Sequence, residues 1–307
     1  MHTGTIVAWL IILVIIWAFI EKKLLITTKY EVVSDQLPKE FDGTSFVVLS
    51  DLHNQSFGKN NERLINKIDL LSPDFILAAG DMINKDSLCY PSTAFSLLEA
   101  LSKKYKIYYG FGNHELKNDM FLKIKENSPE NKGSMSDEAY STWVEYKKKL
   151  IESKVTLLMN ESVTIDKGDA KLTITGLSIG GRYFKHFKLP TMTTQYLNQL
   201  IGEHCKEYQI LIAHNPCYYN DYIKWGADLI LSGHLHGGLI RLPFIGGLVS
   251  PQVILFPKYS SGLYTSKSES GDNRKAMIVS RGLGSHSIMP RLFNIPDIVF
   301  VRLKKNH

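Results

Sequence analysis

Eight polar side chains stand at the ends of five short apolar runs in this sequence. They are two aspartates, five histidines and one asparagine: Asp51, His53, Asp81, Asn113, His114, His214, His234 and His236. Imidazole nitrogen with carboxylate and amide oxygen, and no thiolate, is a ligand set suited to Mn, Fe or Zn. Eight candidates are too many for one ion. With Asp81 shared they suffice for two metal ions about 3.5–4 Å apart, an arrangement that catalyses displacement at phosphorus. The expected chemistry is phosphoester hydrolysis.

The apolar runs before these residues are predicted to be buried strands. They are SFVVLS (45–50), DFILAAG (74–80), KIYYGFG (106–112), YQILIA (208–213) and DLILSG (228–233). Amphipathic helical patterns at 61–71 and 93–104 separate the first three runs, which gives the alternation of a mainly parallel sheet. In such sheets ligands bind beyond the carboxyl ends of the strands, so we expect the five strand ends to converge on one site.

Each of these short motifs is weak evidence by itself. A histidine at a strand end is more often a hydrogen-bonded structural residue than a ligand, and GD or GNH is common in turns. The combination is more informative, because all five strand ends carry such residues and five of the ten histidines lie there.

The rest of the chain predicts the fold class. We expect further helices at 138–153, 194–205 and 218–225, a hairpin at 163–176, and three C-terminal strands without helices between them at 259–264, 276–280 and 298–303. These strands predict a second sheet packed face to face on the first. The expected fold is an α/β protein, a four-layer α/β/β/α sandwich forming one domain over 45–307. Residues 24–44 would form a connector and a first strand region.

The N-terminal segment 1–23 is predicted to be a membrane anchor. Residues 4–20 contain no charge over 17 positions, about 25 Å of helix. A buried core helix or a cleavable signal peptide passes the same test, but a signal peptide needs a basic start and an A-x-A cleavage site, and neither is present. Lys22 and Lys23 follow the span, so the positive-inside rule favours a single-pass protein with a cytoplasmic catalytic domain.

The amino-acid composition excludes several classes of protein. The chain has 307 residues, 44% of them hydrophobic, and a net charge of +6, which excludes a mainly disordered or collagen-like protein. Its three cysteines, Cys89, Cys205 and Cys217, are too few and too far apart for a disulfide framework or a cysteine-ligated zinc site. The small positive charge does not indicate nucleic-acid binding. We expect no nucleic-acid ligand and no obligate protein partner.

The ordered motifs D-x-H, GD, GNH[DE], H and GHxH resemble those of the calcineurin-like metallophosphoesterases, from about Ser45 to Leu303. The resemblance implies two divalent metal ions, with Mn as the first choice and Fe or Zn as alternatives. It implies one metal bound by Asp51, His53, Asp81 and His236, and the other by Asp81, Asn113, His214 and His234. It further implies a metal-bridging hydroxide as nucleophile, with His114 stabilising the transition state or protonating the leaving oxygen and Glu115 orienting His114.

Three further stretches are similar to the membrane-anchored bacterial branch of that family. They are HGGLIRLPFIGGLVSP (236–251), KYSSGLY (258–264) and VSRGLG (279–284). Members of this branch are phosphohydrolases or phosphodiesterases, and related enzymes cleave the pyrophosphate of UDP-2,3-diacylglucosamine. Leu239 stands where the branch usually has Gln. Arg241 and Arg281 are candidate clamps for a substrate phosphate, although either side chain could instead brace a loop.

We therefore expect a dimetal phosphohydrolase that cleaves a phosphodiester or pyrophosphate bond in a lipid-linked or nucleotide-bearing substrate. The alternatives are a UDP-2,3-diacylglucosamine pyrophosphatase-like activity, a phosphomonoesterase and a non-enzymatic metal-stabilised scaffold. A protein Ser/Thr phosphatase is disfavoured because GDMINKD lacks the arginine of GDxVDRG. Loops at 116–136 and 180–191 are expected to select the substrate.

Overall fold

The computed structural model describes residues 3–84, 91–119, 136–184, 189–242, 245–251, 253–266, 275–285 and 291–306. Cys89 and parts of the predicted loops at 116–136 and 180–191 lie outside these ranges.

Helices and strands alternate through the first two-thirds of the chain. The helices are α1 (Thr3–Glu21), α2 (Glu62–Leu71), α3 (Ser92–Ser102), α4 (described over 113–119), α5 (Asp137–Glu152), α6 (Thr194–Ile201) and α7 (Tyr219–Trp225). The strands are β1 (Ile26–Ser34), β2 (Ser45–Leu49), β3 (Phe75–Ala79), β4 (Lys106–Gly110), β5 (Val155–Leu158), β6 (Glu161–Lys167), β7 (Ala170–Leu177), β8 (Tyr208–Ala213), β9 (Leu229–Ser232), β10 (Ile240–Leu242), β11 (Gly246–Val249), β12 (Gly262–Ser266), β13 (Lys275–Val279) and β14 (Asp297–Lys305).

Two six-stranded sheets pack face to face. Their strand orders are β1-β14-β2-β3-β4-β5 and β12-β13-β9-β8-β7-β6, and β10 and β11 form a separate hairpin. One apolar layer fills the space between the sheets. Helices α2, α3 and α5 cover the outer face of the first sheet, and α6 and α7 cover that of the second. The predicted four-layer α/β/β/α sandwich is confirmed.

The central strands are apolar throughout because both of their faces are buried. In β2, Val47 and Leu49 pack under the helices, whereas Phe46 and Val48 face the second sheet. Strand β3 alternates in the same way. Parallel strands covered on both sides read as continuous hydrophobic runs, which is why these strands are visible in the sequence.

The C-terminal strand lies in a different sheet from the one predicted. Residues 298–303 were expected in the second sheet, but β14 lies in the first, parallel to β1 and antiparallel to β2. Strands β12 and β13 do join the second sheet. The pattern was misleading because β1, the partner that places β14, has the half-polar sequence ITTKYEVVS and shows no apolar run.

Helix α1 ends at the edge of the sandwich where β2 and β3 end. Strand β14 runs antiparallel to β2, pairing Val299 with Val48, and β1 runs parallel to β14, pairing Ile26 with Asp297. The amino end of β1 therefore lies at the carboxyl edge of β2. The 18 residues from Gly4 to Glu21 are uncharged except for Glu21 and mostly exposed, so by length and composition α1 could be a membrane anchor.

Gly176 lets the two sheets approach closely, and we expect its replacement by alanine to be costly. A Cβ atom at Gly176 would overlap the carbonyl oxygen of Leu158. Overpacking of this kind costs about 1–3 kcal/mol, so Gly176→Ala should lower the free energy of unfolding by that amount in urea titrations followed by circular dichroism. Gly180→Ala is the control, because a Cβ there meets nothing within 4 Å. Equal stability of the two variants would contradict the prediction.

Candidate metal centre

The carboxyl ends of five strands from both sheets meet at one edge of the sandwich. The side chains brought together there are Asp51 after β2, His53 two residues further, Asp81 after β3, His114 after β4, His214 after β8, and His234 and His236 after β9. Asn113, the other residue expected at the site, directly precedes His114 at the start of α4. Neither sheet alone carries the whole set, so the face-to-face packing of the sheets creates the cluster.

The cluster consists of overlapping groups of donor atoms. Within each group the donor atoms lie within 4.8 Å of one another, and the groups are Asp51, His53 and His236; Asp81, His214 and His234; and His53, Asp81 and His114. Nε2 of His53 is 3.9 Å from Oδ1 of Asp51 and 4.0 Å from Oδ2 of Asp81, so this imidazole lies between the two aspartates. Each of these groups could hold a metal ion.

Five of these residues adopt a left-handed backbone conformation. The φ angles are 51° for Asp51, 47° for His53, 52° for Asp81, 70° for His234 and 52° for His236. Such a conformation costs a non-glycine residue about 1–3 kcal/mol and is maintained only when the surroundings impose it. Strained backbone of this kind concentrates at functional sites.

Glycines beside the aspartates have a steric role. A Cβ atom at Gly112 would overlap Oδ1 of Asp81, and one at Gly233 would overlap Oδ2 of Asp51. Each carboxylate therefore occupies space that only a glycine in the facing loop leaves open. Gly112 thus makes room for Asp81 within the first sheet, and Gly233 makes room for Asp51 where the two sheets meet.

Glu115 ties together the loops after β3 and β4. Its buried carboxylate accepts hydrogen bonds from the backbone N–H groups of Asp81 (2.9 Å), Gly112 (3.0 Å) and Ile83 (3.2 Å), and from the Tyr109 hydroxyl (2.7 Å). Burial and the Asp81 charge raise the pKa of Glu115 to about 7. The GNHE motif does not indicate these contacts, which make Glu115 a positioning residue for Asp81.

Backbone carbonyl groups orient two of the histidines. Nδ1 of His214 lies 2.7 Å from the carbonyl oxygen of Ala79, and Nδ1 of His236 lies 3.2 Å from that of Gly284. An Nδ1–H that donates to a carbonyl leaves Nε2 as the ligand atom. Nε2 of His214 is 3.1 Å from Oδ2 of Asp81, and Nε2 of His236 is 3.5 Å from Oδ1 of Asp51. Both imidazoles thus present Nε2 to the centre of the cluster.

Burial and neighbouring charges set the protonation states in the metal-free cluster. Burial and neighbouring histidines hold the pKa values of His53 and His234 well below the usual range, so both are neutral at pH 7. Burial alone would raise the pKa of Asp81, but His214 and His114 hold it well below normal. Burial would likewise lower the pKa of His214, yet the charges of Asp81 and Asp51 raise it to about 10 when no metal is bound. A proton on His214 then replaces part of the missing cationic charge.

An unsatisfied acceptor supports the fit of a divalent cation. Oδ1 of Asn113 is buried and has no hydrogen-bond partner among the described residues. Buried polar atoms without a partner are uncommon, and a metal ion satisfies such an oxygen. Carboxylate, imidazole and amide donors together fit Mn, Fe or Zn.

The two predicted arginine clamps lie beside the cluster. Arg241 and Arg281 line a cleft of about 590 Å³. Nη1 of Arg241 donates to Oγ of Ser261 at 2.6 Å. Arg281 forms an ion pair with Asp297, Nε to Oδ2, at 3.4 Å, so it braces the start of β14 as well as lining the cleft. Leu239, at the position that differs from the branch pattern, is buried.

Sequence reasoning missed Arg291, which lies behind the cluster. This buried guanidinium donates from Nη1 to the carbonyl oxygens of Gly282 and Gly284, both at 3.0 Å, and from Nε to that of Asn294 at 2.9 Å. Burial lowers its pKa to about 10. The Gly284 carbonyl is also the partner of His236, so Arg291 fixes the loop that orients this histidine. Its contacts are all with backbone, and no spacing in the sequence indicates them.

An α/β/β/α sandwich with an Asp/His cluster across the carboxyl ends of both sheets defines the class of metal-dependent phosphoesterases. Residues 44–238 match the calcineurin-like phosphoesterase family, so the chain belongs to that family and is a hydrolase acting on phosphoester bonds. Members of the family typically bind two divalent metals.

Curated relatives cover almost the whole chain. The uncharacterized metallophosphoesterase YkuE of Bacillus subtilis is 26% identical over 94% of this chain and 89% of its own length. A UDP-2,3-diacylglucosamine pyrophosphatase, LpxG of Chlamydia muridarum, is 26% identical over 94% of this chain and 92% of its own length. Among solved structures, the NAD nucleotidase of Haemophilus influenzae is 16% identical with a TM-score of 0.43, covering 79% of this chain and 46% of that chain. A similarity this low supports no inference about function.

The metal-free protein should become less stable as the pH rises from 7.5 to 9.5. The folded state holds the pKa of His214 near 10, above the usual value of 6.5, so this stabilisation is complete below pH 6.5 and is lost as the pH rises through 10. His53 and His234 are neutral in both states above pH 7.5. One proton contributes at most about 1.4 kcal/mol per pH unit. Urea unfolding of chelator-treated protein at three pH values measures the slope.

His214→Asn is the matched control, because this variant has no proton to lose. The variant should lose part of the decrease in unfolding free energy with pH. In the unmodified protein, Mn²⁺ should abolish the contribution of His214 to that decrease, because the ion displaces the proton. A slope that is the same in the variant and in the unmodified protein would contradict the assignment.

Proposed function

We propose that this protein is a dimetal-dependent phosphohydrolase that cleaves a phosphodiester or pyrophosphate bond in a lipid-linked or nucleotide-bearing substrate. The observation that carries the proposal is the pair of donor groups around Asp51 and Asp81, with His53 between them. Residues 1–23 would serve as membrane anchor, 24–44 as connector and first strand region, and 45–307 as the catalytic domain.

The proposed ligands form two sets that share Asp81. One set is Asp51, His53, Asp81 and His236, and the other is Asp81, Asn113, His214 and His234. We propose Mn as the metal, with Fe or Zn as alternatives that the same donors accept. When bound, two such cations would neutralise charge on the phosphate oxygens and lower the pKa of a water molecule. Asp81 supports the sharing role, because its carboxylate faces both His53 and His214.

His114 is proposed as the catalytic acid. Its backbone N–H donates to Oδ1 of Asp81 at 2.9 Å, and its Nε2 lies 3.7 Å from Oδ2 of the same residue. The imidazole is thereby held at the cluster by the residue that both metals would share. A histidine placed there can donate a proton to the leaving oxygen, or stabilise charge that develops on the phosphate.

Arg241 and Arg281 are proposed to bind the substrate phosphate at the start of the cleft. Nη1 of Arg241 donates to the carbonyl oxygen of Gly237, and a Cβ atom at Gly237 would lie 2.8 Å from Cγ of Arg281. Both arginine side chains therefore contact or approach Gly237, the residue that follows His236. Guanidinium groups bind phosphate in a bidentate manner, which suits a diester or pyrophosphate held beside the metals.

The substrate class is proposed from the anchor and the relatives. An N-terminal helix in a bilayer would hold the site at the membrane surface, where lipid-linked molecules are concentrated. Lys22 and Lys23 favour a cytoplasmic catalytic domain. The relative named as a UDP-2,3-diacylglucosamine pyrophosphatase supports an acylated nucleotide substrate. A phosphomonoesterase is the alternative activity.

Chelator-treated protein should regain hydrolysis when Mn²⁺, Fe²⁺ or Zn²⁺ is restored. We expect turnover of an aryl phosphodiester or a UDP-sugar pyrophosphate to exceed that of an aryl phosphomonoester. Asn113→Ala should lower metal-restored turnover, because the variant lacks one proposed ligand. Metal content measured on the same samples separates loss of the ion from loss of chemistry. Inactivity on every substrate with two metals bound would contradict hydrolysis of water-soluble phosphoesters.

His114→Ala should lose more activity on substrates with poor leaving groups than on those with good ones. A general acid contributes about 10²–10⁴-fold, and an alkyl alkoxide needs its proton far more than a nitrophenolate does. The measurement compares kcat for alkyl and nitrophenyl diesters in the variant and the unmodified enzyme. His204→Ala, a histidine on the outer side of the second sheet against Trp225, is the control. An equal loss on both diesters would assign His114 to charge stabilisation instead.

A further inference from the structure

Exposed apolar side chains surround the cleft that contains the two arginines. We call them the apolar rim, and they are Ile245, Val253, Ile254, Leu255, Phe256 and Phe293, with exposed fractions between 40% and 75%. Three of them, Ile245, Phe256 and Phe293, line the cleft itself. Large apolar side chains that cluster at the surface, instead of occurring singly, mark an interaction site.

Cationic side chains also line the cleft. Arg241, Lys258 and Arg281 line it together with Ser260 and Ser261. Exposed apolar side chains beside positive charge are the combination that matches the boundary between acyl chains and anionic headgroups. A protein partner would have to supply the same combination of apolar and acidic groups.

The apolar rim is directly connected to the end of α1. Glu21, the last residue of α1, is buried, and its Oε2 accepts a hydrogen bond from the backbone N–H of Phe293 at 2.8 Å. Nη1 of Arg63 and Nζ of Lys67 donate to the carbonyl oxygens of Lys23 and Leu25, which fixes the chain directly after the helix. The rim and the helix end thus lie at the same edge of the sandwich.

Several rim residues are held in an unusual backbone conformation. The φ angles of Val253, Phe256 and Phe293 are 61°, 48° and 55°. The left-handed region is an outlier for a β-branched or bulky residue. Backbone bonds from Val253 to Ser250 and from Phe256 to Leu248 hold this segment against β11. Strained backbone conformations concentrate at functional sites, so the strain at these exposed apolar residues indicates a function for the rim.

We propose that the apolar rim is a second membrane contact, which inserts into the headgroup and acyl boundary of the bilayer that α1 spans. The proposal rests on the proposed function only in taking α1 as the anchor. A bilayer is favoured over a second copy of the chain, because a spanning α1 brings the rim to the membrane surface within one molecule. Arg241, Lys258 and Arg281 then face anionic headgroups. An acylated substrate reaches the metals without leaving the bilayer.

The test measures the depth of single labelled positions in the full-length protein. The native cysteines are replaced by serine, and Val253→Cys or Leu255→Cys carries a bimane probe after reconstitution into phosphatidylglycerol–phosphatidylcholine vesicles. Ile151→Cys is the matched control, since its exposed fraction of 61% is close to the 64% of Leu255. Ile151 precedes the amino end of β5, at the edge of the sheet opposite the metal cluster.

We expect blue-shifted emission, protection from iodide and quenching by doxyl-labelled lipids at 253 and 255, at least about twofold stronger than at 151. Quenching by iodide equal to that at Ile151→Cys would place the rim in water and overturn the proposal. Protection from iodide without quenching by the lipids would show that protein, such as a second copy of the chain, covers the rim, which also overturns it.

A second measurement separates this proposal from the catalytic one. Leu255→Asp should reduce hydrolysis of a vesicle-embedded acylated pyrophosphate substrate about tenfold, because a carboxylate resists burial in the bilayer. Hydrolysis of a water-soluble aryl diester should not change. Equal activity of Leu255→Asp and the unmodified enzyme on the embedded substrate would count against the membrane contact. Absence of aryl diester hydrolysis in both would count against the proposed function, while the probe measurements would still decide the membrane contact.

Discussion

Negative charge buried at one edge of the sandwich is the constraint on which the site depends. Asp51, Asp81 and Glu115 are all buried there. A buried carboxylate is strongly destabilising unless it is paired or hydrogen-bonded. Glu115 is satisfied by the loop backbone and the Tyr109 hydroxyl. The two aspartates face imidazole rings, and without a metal one of these rings must carry a proton. Divalent cations supply the missing positive charge, so metal affinity and fold stability are linked at this edge.

The packing of the two sheets makes the strained geometry of the cluster possible. Five candidate ligands adopt left-handed backbone conformations directly after strands that are buried on both faces. The free energy gained by burying those strands offsets the local strain, and the loops cannot relax without opening the core. Rigid strands with short strained loops are the arrangement that holds a metal-binding cluster in place before the metal binds.

The sequence predicted those parts of the molecule in which local pattern and burial coincide. Strands such as β2 and β3 were visible because they are apolar on both faces, and the polar residues after them were correctly brought to one edge. A first strand region was expected at 24–44, but the half-polar sequence of β1 did not indicate its place in the sheet, and β14, its partner, was assigned to the wrong sheet. Glu115 accepts hydrogen bonds from the loop after β3, and Arg291 donates to carbonyl groups of nearby loop residues. Motif spacing along the chain indicates neither set of contacts.

The position of β14 has a consequence for biosynthesis. This strand, formed by residues 297–305, lies between β1 and β2, which are formed by residues 26–34 and 45–49. The first sheet therefore cannot close until residues 297–305 have been synthesised. Until then β1 and β2 each keep an unpaired edge, and such edges are templates for aggregation. Nascent chains would depend on chaperones during that interval, and loss of residues 297–305 would leave a gap inside the sheet.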